Sequence, residues 1–281
     1  MRQAEKVDLG SDDWTMEIRP YASAFHFPIK ELWEYRDLLF LFVRRDFKTM
    51  YKQTILGPAW ILLSPLLTTG MFSLIFGRIA GISTDGTPAF LFYMAGNILW
   101  NYFSSCLSAA SSTFIGNAGL FGKVYFPRIV VPASSAVSKL ITFGAQFLLF
   151  LILLFCSLGS GQVRITWLCL MTPVLLVMLA LLAIGTGMIL ASLTAKYRDL
   201  QVLVGFGIQL WMYASPIVYP LSQIPGKWRI LLSLNPVAYI VECFRYVSIP
   251  NLMIGLGIIL LILFVGTVMF NKTQRNFMDT V

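Results

Sequence analysis

Histidine is almost missing from this chain, and cysteine is sparse. One histidine, His26, and four cysteines, Cys106, Cys156, Cys169 and Cys243, stand far apart with no metal-ligand or Cys-x-x-Cys spacing. Neither a metal site nor a thiol redox pair can be assembled from them. A lone histidine in the N-terminal tail also leaves no Ser/His/Asp or Cys/His arrangement for nucleophilic catalysis. No Gly-x-x-x-x-Gly-Lys-Ser/Thr run occurs, so no loop of this kind cradles a nucleotide phosphate. The expectation is therefore no catalytic residue, no metal and no cofactor in this chain. Charge is scarce as well, at 12% of residues, with a net +8. That excess flanks apolar stretches rather than forming a free basic patch, which speaks against a nucleic-acid partner. The first 30 residues are mixed and charged, so no cleavable signal is expected.

Apolar residues fill the space that charge leaves. They make up 57% of the chain, and the mean hydropathy is +0.76, beyond the range of a soluble globule. About 20 apolar residues cross a bilayer. Six stretches qualify: Ile55–Gly77, Ala89–Ile115, Ala133–Leu158, Leu168–Ala195, Leu200–Val218 and Pro250–Phe270. With the N-terminus inside, the inner segments hold nine Lys/Arg before Gly57 plus Lys123, Arg128, Lys139, Lys196, Arg198, Lys272 and Arg275. The outer segments hold Arg78, Arg164, Lys227, Arg229 and Arg245. Cytoplasmic loops carry excess Lys/Arg, so both termini are expected in the cytoplasm. The fold class is an all-α polytopic membrane protein of six transmembrane helices. Residues 1–29 form an N-terminal cytoplasmic tail, whose stretch from Trp14 to Ile29 alternates apolar and polar. Residues 30–56 form an amphipathic helix, 57–271 the six-helix domain, and 272–281 a C-terminal tail.

On a helical wheel, Leu39, Phe42, Val43 and Met50 share one side, while Asp37, Arg44, Lys48 and Lys52 share the other with Arg45 at the border. Such a helix lies in the headgroup layer. Pro58 disfavours α geometry at Gly57, so the chain can turn there from lying on the membrane to crossing it. Asp46, on the apolar side, needs a partner. These residues alone fit a topology-setting helix equally well.

Several further patterns carry two readings each. Asn97, Asn101, Ser104, Ser108 and Ser111 make one polar stripe on the second span, which is either a hydrated pathway wall or interhelical hydrogen-bonding glue. Ala183, Gly187, Ala191 and Ala195 form a ridge for close helix approach. Gln209, Trp211, Tyr213 and Ser215-Pro216 end the fifth span; the aromatics are interfacial anchors or sugar-stacking platforms. The loop after the second span places Tyr125, Phe126 and Ile129 toward the cytoplasm, as a docking surface or as a loop packed on its own helix ends. Between Tyr219 and Ile249 two short apolar pieces, Trp228–Leu234 and Val237–Val241, flank Asn235-Pro236 and read as re-entrant or interfacial helices. No ionisable residue is expected deep in a span, which speaks against proton- or ion-coupled transport.

Four blocks occur in order: Arg44-Arg45-Asp46 with Tyr51-Lys52-Gln53-Thr54-Ile55-Leu56-Gly57-Pro58-Ala59-Trp60 and Pro65; Lys123-Val124-Tyr125-Phe126-Pro127-Arg128 with Pro132; Lys196-Tyr197-Arg198-Asp199; and Trp211-Met212-Tyr213-Ala214-Ser215-Pro216-Ile217-Val218-Tyr219-Pro220 with Pro225, Lys227-Trp228 and Leu234-Asn235-Pro236. Together they resemble the membrane (permease) subunits of polysaccharide-exporting ABC transporters of the O-antigen and capsule type, from about Trp14 to the end. The resemblance implies a channel-forming subunit, without a catalytic site of its own, that moves a lipid-linked, O-antigen-like polysaccharide across the inner (cytoplasmic) membrane. It implies a homodimer with two copies of a separate ATP-binding subunit that holds ATP and Mg, and an undecaprenyl-diphosphate-linked glycan as substrate. It further implies an intake gate helix bearing Arg44, Arg45, Asp46, Lys48, Tyr51 and Lys52, with Asp46 making a buried contact to the adjoining subunit or coupling loop. A cytoplasmic coupling helix within 116–132 would meet the ATPase through Lys123, Tyr125, Phe126, Pro127 and Arg128. Outer gate helices are implied within 219–249. The implied translocation path includes Trp60, Asn97, Asn101, Ser104, Ser108, Trp211 and Tyr213. Arg245-Tyr246 runs almost directly into the last span, so the usual linker there is shortened. Alternatives are an exporter subunit for drugs or small lipids, one for a teichoic-acid-type polymer, and an ATP-independent membrane scaffold.

Overall fold

In the computed structural model, residues 29–52, 56–124, 126–158, 168–197, 199–232, 234–246 and 249–276 are described. All regular structure among them is helical. The N-terminal tail before Ile29, Tyr125, Arg198 and the last five residues lie outside the described residues.

The amphipathic segment forms α1 (Ile29–Glu34) and α2 (Arg36–Tyr51), with a break at Tyr35. The expected single helix over 30–56 is thus split and stops earlier. Gly57 takes φ 48° just before Pro58, a left-handed step that glycine makes freely, and α3 (Ala59–Phe72) starts beyond it. Pro65 lies inside α3 and has no N–H to offer the Ile61 carbonyl one turn back. Gln146 takes that role, donating from Nε2 to the Ile61 oxygen at 3.3 Å. The helix then widens into a π-helical end, Ser73–Ile79.

A turn with positive φ at Asp85 and Gly86 and a Thr87 N–H donated to the Thr84 oxygen, the type I′ pattern, leads into α4 (Ala89–Ser111). Every residue from Leu91 to Trp100 is buried, because α4 is enclosed by α3, α7 (Val130–Leu158), α8 (Leu168–Lys196) and α9 (Leu200–Tyr213). Tyr93, Phe103, Leu99 and Leu107 of α4 meet Leu175, Leu179 and Leu182 of α8. The Thr194 hydroxyl of α8 donates to the Ser111 carbonyl at 3.0 Å, closing the end of α4. Beyond α4 come two short helices, α5 (Thr113–Gly116) and α6 (Ala118–Phe121).

Among the described residues, four helical segments are long and apolar enough to cross a membrane: Ala59–Ile79, Val130–Ser157, Met171–Lys196 and Leu252–Gln274. The other two expected spans take different forms. The polar residues of α4 lower its hydropathy, and its neighbours enclose it. α9 has 14 residues, about 21 Å at 1.5 Å per residue, shorter than the expected Leu200–Val218 because the chain turns at Ser215 and Pro216. After it come α10 (Gly226–Leu232) and α11 (Pro236–Tyr246), two short helices on either side of Asn235, and α12 (Ile249–Asn276). α8 and α12 cross in backbone contact: a Cβ on Gly185 would sit 2.9 Å from Leu263 Cα, and one on Gly266 would strike the Gly185 carbonyl.

Candidate functional site

Three sites lie along the molecule, and the first is at the end where α2 meets the loop after α6. Phe42 of α2, Phe121 of α6 and Phe126 form an aromatic cluster, with Phe126 5.7 Å from Phe42 and 5.5 Å from Phe121. Arg128 is 3% exposed; its Nη1 donates to the Gln274 carbonyl of α12 at 2.8 Å, and its guanidinium stands 5.2 Å over the Phe121 ring. The expectation that Phe126 would be exposed is corrected, and Arg128 likewise lies inside. Both pin the loop to α2, α6 and α12, the packed-loop reading of this segment, because an aromatic and a guanidinium next to an apolar cluster gain more from ring contact than from water. Lys123 and Val124 are exposed and Pro127 half-buried. Arg128→Ala removes a buried charged hydrogen bond, of the order of 1.5–3 kcal/mol. Amide exchange across 117–129 should then rise roughly 10- to 100-fold, measured by mass spectrometry on the detergent-solubilised chain.

On α2, Arg44, Lys48 and Lys52 are exposed. Asp46 accepts from its neighbour Arg45 at 2.9 Å, and that guanidinium also covers Phe42 at 4.7 Å. Within one chain Asp46 therefore pairs next door rather than with the coupling loop, and its side chain stays 28% exposed. Tyr51 ends α2; its side chain is outside the described set.

The second site is a cavity of about 290 Å³ between the end of α2, the start of α3, α4 and α7. Met50, Gly57, Trp60, Ser64, Asn101, Ser105, Lys139 and Thr142 line it, with Tyr102, Phe143 and Gln146 among the rest. It brings together Trp60 and Asn101 of the expected path with Met50 of the gate helix. The rest of the stripe disperses. Asn97 is 2% exposed and donates to Thr69 Oγ1 of α3 at 3.4 Å, so it joins helices and does not face a hydrated wall. Ser104 donates back to the Asn101 carbonyl, and Ser108 is exposed. Lys139 corrects the expectation of spans free of ionisable residues. It sits nine residues into α7, about 13 Å along the helix axis, half-buried at the cavity wall. The signal was a cation inside an apolar run, hidden by counting it as a loop charge.

The third site is at the opposite end. Trp211 Nε1 donates to Asn235 Oδ1 at 3.2 Å and its ring stands 5.1 Å from Phe103. Asn235 Nδ2 donates to the Ala214 carbonyl and Ser215 Oγ. Tyr213 is exposed. Arg245 of α11, read from sequence only as an outer cation, sends Nη1 to the Pro216 carbonyl at 2.6 Å and Nη2 to the carbonyls of Ile217 and Phe92 at 2.8 and 3.0 Å, 3.6 Å over the Phe92 ring. Burial pulls the guanidinium down to about 10, opposed by Tyr246 and Glu242, so it stays charged at neutral pH. Gly96 leaves room for it: a Cβ there would crowd Nη2. Tyr246 donates to Asp85 at 3.0 Å, as does Ser222, and burial together with the Asp85 bond pushes the Tyr246 phenol up. This end is thus tied across the 84–87 turn, residues 214–222 and α11.

Among the described residues no group of His, Cys, Asp and Glu is placed to hold a metal. The arrangement is that of a helical body with a packed aromatic loop at one end, a tied cap at the other, and a polar cavity beside α2. Residues 37–249 match the family of ABC-2 type transporters. The chain is 28% identical over 262 residues to the O-antigen export system permease protein RfbA of Myxococcus xanthus, covering 90% of this chain and 98% of that protein. It is 28% identical over 254 residues to an RfbA of Klebsiella pneumoniae, with 86% and 94% covered. Against the polysialic acid transport protein KpsM of Escherichia coli it is 26% identical over 225 residues, with 76% and 81% covered.

Proposed function

Because the chain belongs to the ABC-2 type transporter family, we propose that it is the permease subunit of a polysaccharide exporter of O-antigen type. The observation that carries this reading is the end-to-end similarity to O-antigen export permeases, spanning 98% of the M. xanthus protein. In this reading the chain crosses the inner membrane six times with both termini in the cytoplasm, and α4 and α9 supply the second and fifth crossings. It works as a homodimer with two copies of a separate ATP-binding subunit. α9 buries none of its residues, and α3 exposes Trp60, Leu62, Leu67 and Met71; a second copy set against these faces would enclose a path between them. Lys123, Tyr125 and Pro127 meet the ATPase, while Phe126 and Arg128 hold the loop in place. ATP-driven closure then moves the loop and α2 together, since Phe42 and Phe126 touch. Arg44, Lys48 and Lys52 attract the diphosphate of an undecaprenyl-type carrier, and α10 and α11 gate the outer end.

The test is complementation. Cells lacking this gene should retain lipid-linked glycan inside and lose it from the surface, and a tagged copy expressed with its neighbouring ATPase should recover that ATPase in detergent. Surface glycan undiminished in the deletion strain would sink the proposal.

A further inference from the structure

The cavity beside α2 contains a charge without an evident counter-charge. Among the described residues, Lys139 lines it and no Asp or Glu does. α3, α4 and α7 carry no acidic residue at all, and Asp46 of α2 is paired to Arg45. A cation inside a membrane helix is costly, and it is retained where it pairs with a carbonyl, a carboxylate or a ligand. Around Lys139 stand further donors, Asn101, Ser105 and Thr142, the last held only by a long contact of its hydroxyl to Met50 Sδ at 4.0 Å, while Gln146 is engaged with the Ile61 carbonyl. The rest of the lining includes apolar and aromatic side chains: Met50, Trp60, Ile61 and Phe143. An ammonium with amide and hydroxyl donors fits an anionic oxygen cluster; the apolar side chains fit the hydrocarbon attached to it. The volume of about 290 Å³ equals roughly ten waters at 30 Å³ each, ample for a phosphate or diphosphate.

We propose that this cavity binds the phosphate of a membrane lipid, with Lys139 as its charged ligand and Asn101, Ser105 and Thr142 as hydrogen-bond donors. The site is separate from the exposed cations of α2. Two lipids share this chemistry, an ordinary anionic phospholipid and a polyprenyl-diphosphate carrier; only the second assignment rests on the exporter reading. Binding to the full chain in phosphatidylcholine nanodiscs tests it without reference to export. Undecaprenyl diphosphate and phosphatidylglycerol are titrated separately, read by tryptophan fluorescence and by native mass spectrometry.

Lys139→Gln should weaken binding by about tenfold or more, as loss of a desolvated charged contact does, whereas Lys139→Arg keeps it within about threefold. Asn101→Ala should weaken it less, and Lys227→Gln on α10 should leave it unchanged. A loss confined to undecaprenyl diphosphate identifies the carrier as the ligand, and a loss for both lipids identifies a general phosphate-lipid site. Unchanged affinity of a folded Lys139→Gln chain for both lipids overturns the proposal. So does a loss equalled by Lys227→Gln.

Discussion

Arg245→Met lowers the apparent melting temperature of the detergent-solubilised chain by roughly 6–12 °C and abolishes export. The side chains are similar in length, so the change leaves little void, but the carbonyls of Pro216 and Ile217 lose their Arg245 donor, while that of Phe92 loses a second bond and keeps its helical one. Each stranded buried acceptor costs about 1–3 kcal/mol. Two such acceptors come to about 2–6 kcal/mol, and removing a buried cation recovers part of its desolvation cost, which leaves roughly 3 kcal/mol or more. At about 2–4 °C per kcal/mol for a chain of this size, that gives the stated shift at the lower bound. Arg245→Lys should fall between, since an ammonium lacks the planar fork that reaches all three carbonyls at once. A melting curve unchanged in Arg245→Met would mean that water replaces the guanidinium and that the latch contributes nothing.

Gly185→Val should leave almost no monodisperse protein in size-exclusion chromatography of membrane extracts. The new Cβ would lie 2.9 Å from Leu263 Cα and 3.0 Å from its nitrogen. Those are backbone atoms, which cannot swing aside as a side chain can. Overpacking usually costs about 1–3 kcal/mol, and here the whole α8–α12 crossing must open, so the loss should exceed that range. Gly144→Val and Gly257→Val, where nothing lies within 4 Å, serve as matched controls and should behave as the parent chain. Equal yields for all three would show that α8 and α12 are not in backbone contact.

Features that are local and long are legible in the sequence. Apolar runs on α3, α7, α8 and α12 gave those helices directly, and Asn235-Pro236 announced the separation of α10 from α11. Features whose meaning depends on a distant neighbour are not legible there. Phe126 and Arg128 look like surface residues of a loop until α2 and the end of α12 fold over them. Arg245 looks like a solvated charge until the Pro216 turn and Phe92 surround it. Of the stripe on α4, Asn97 and Asn101 are one turn apart, yet one ties α4 to α3 and the other borders the cavity. Periodicity assigns both to one face; which part of that face meets a helix and which meets open space is decided by α3 and α7.

The enclosure of α4 also bears on how the protein is made. A segment with Asn97 and Asn101 in its middle gains little from lipid, and its burial comes largely from α8, whose first residue is Leu168. Synthesis reaches α4 well before α8 exists. During that interval the inserted helix has α3, with the Thr69 partner of Asn97, but lacks the apolar neighbours that α8 brings. Until the fourth long apolar stretch emerges, the face of α4 that α8 covers is open to lipid. Truncation just before α8 would expose α4 to quality-control proteolysis, even though every residue of its own sequence is present.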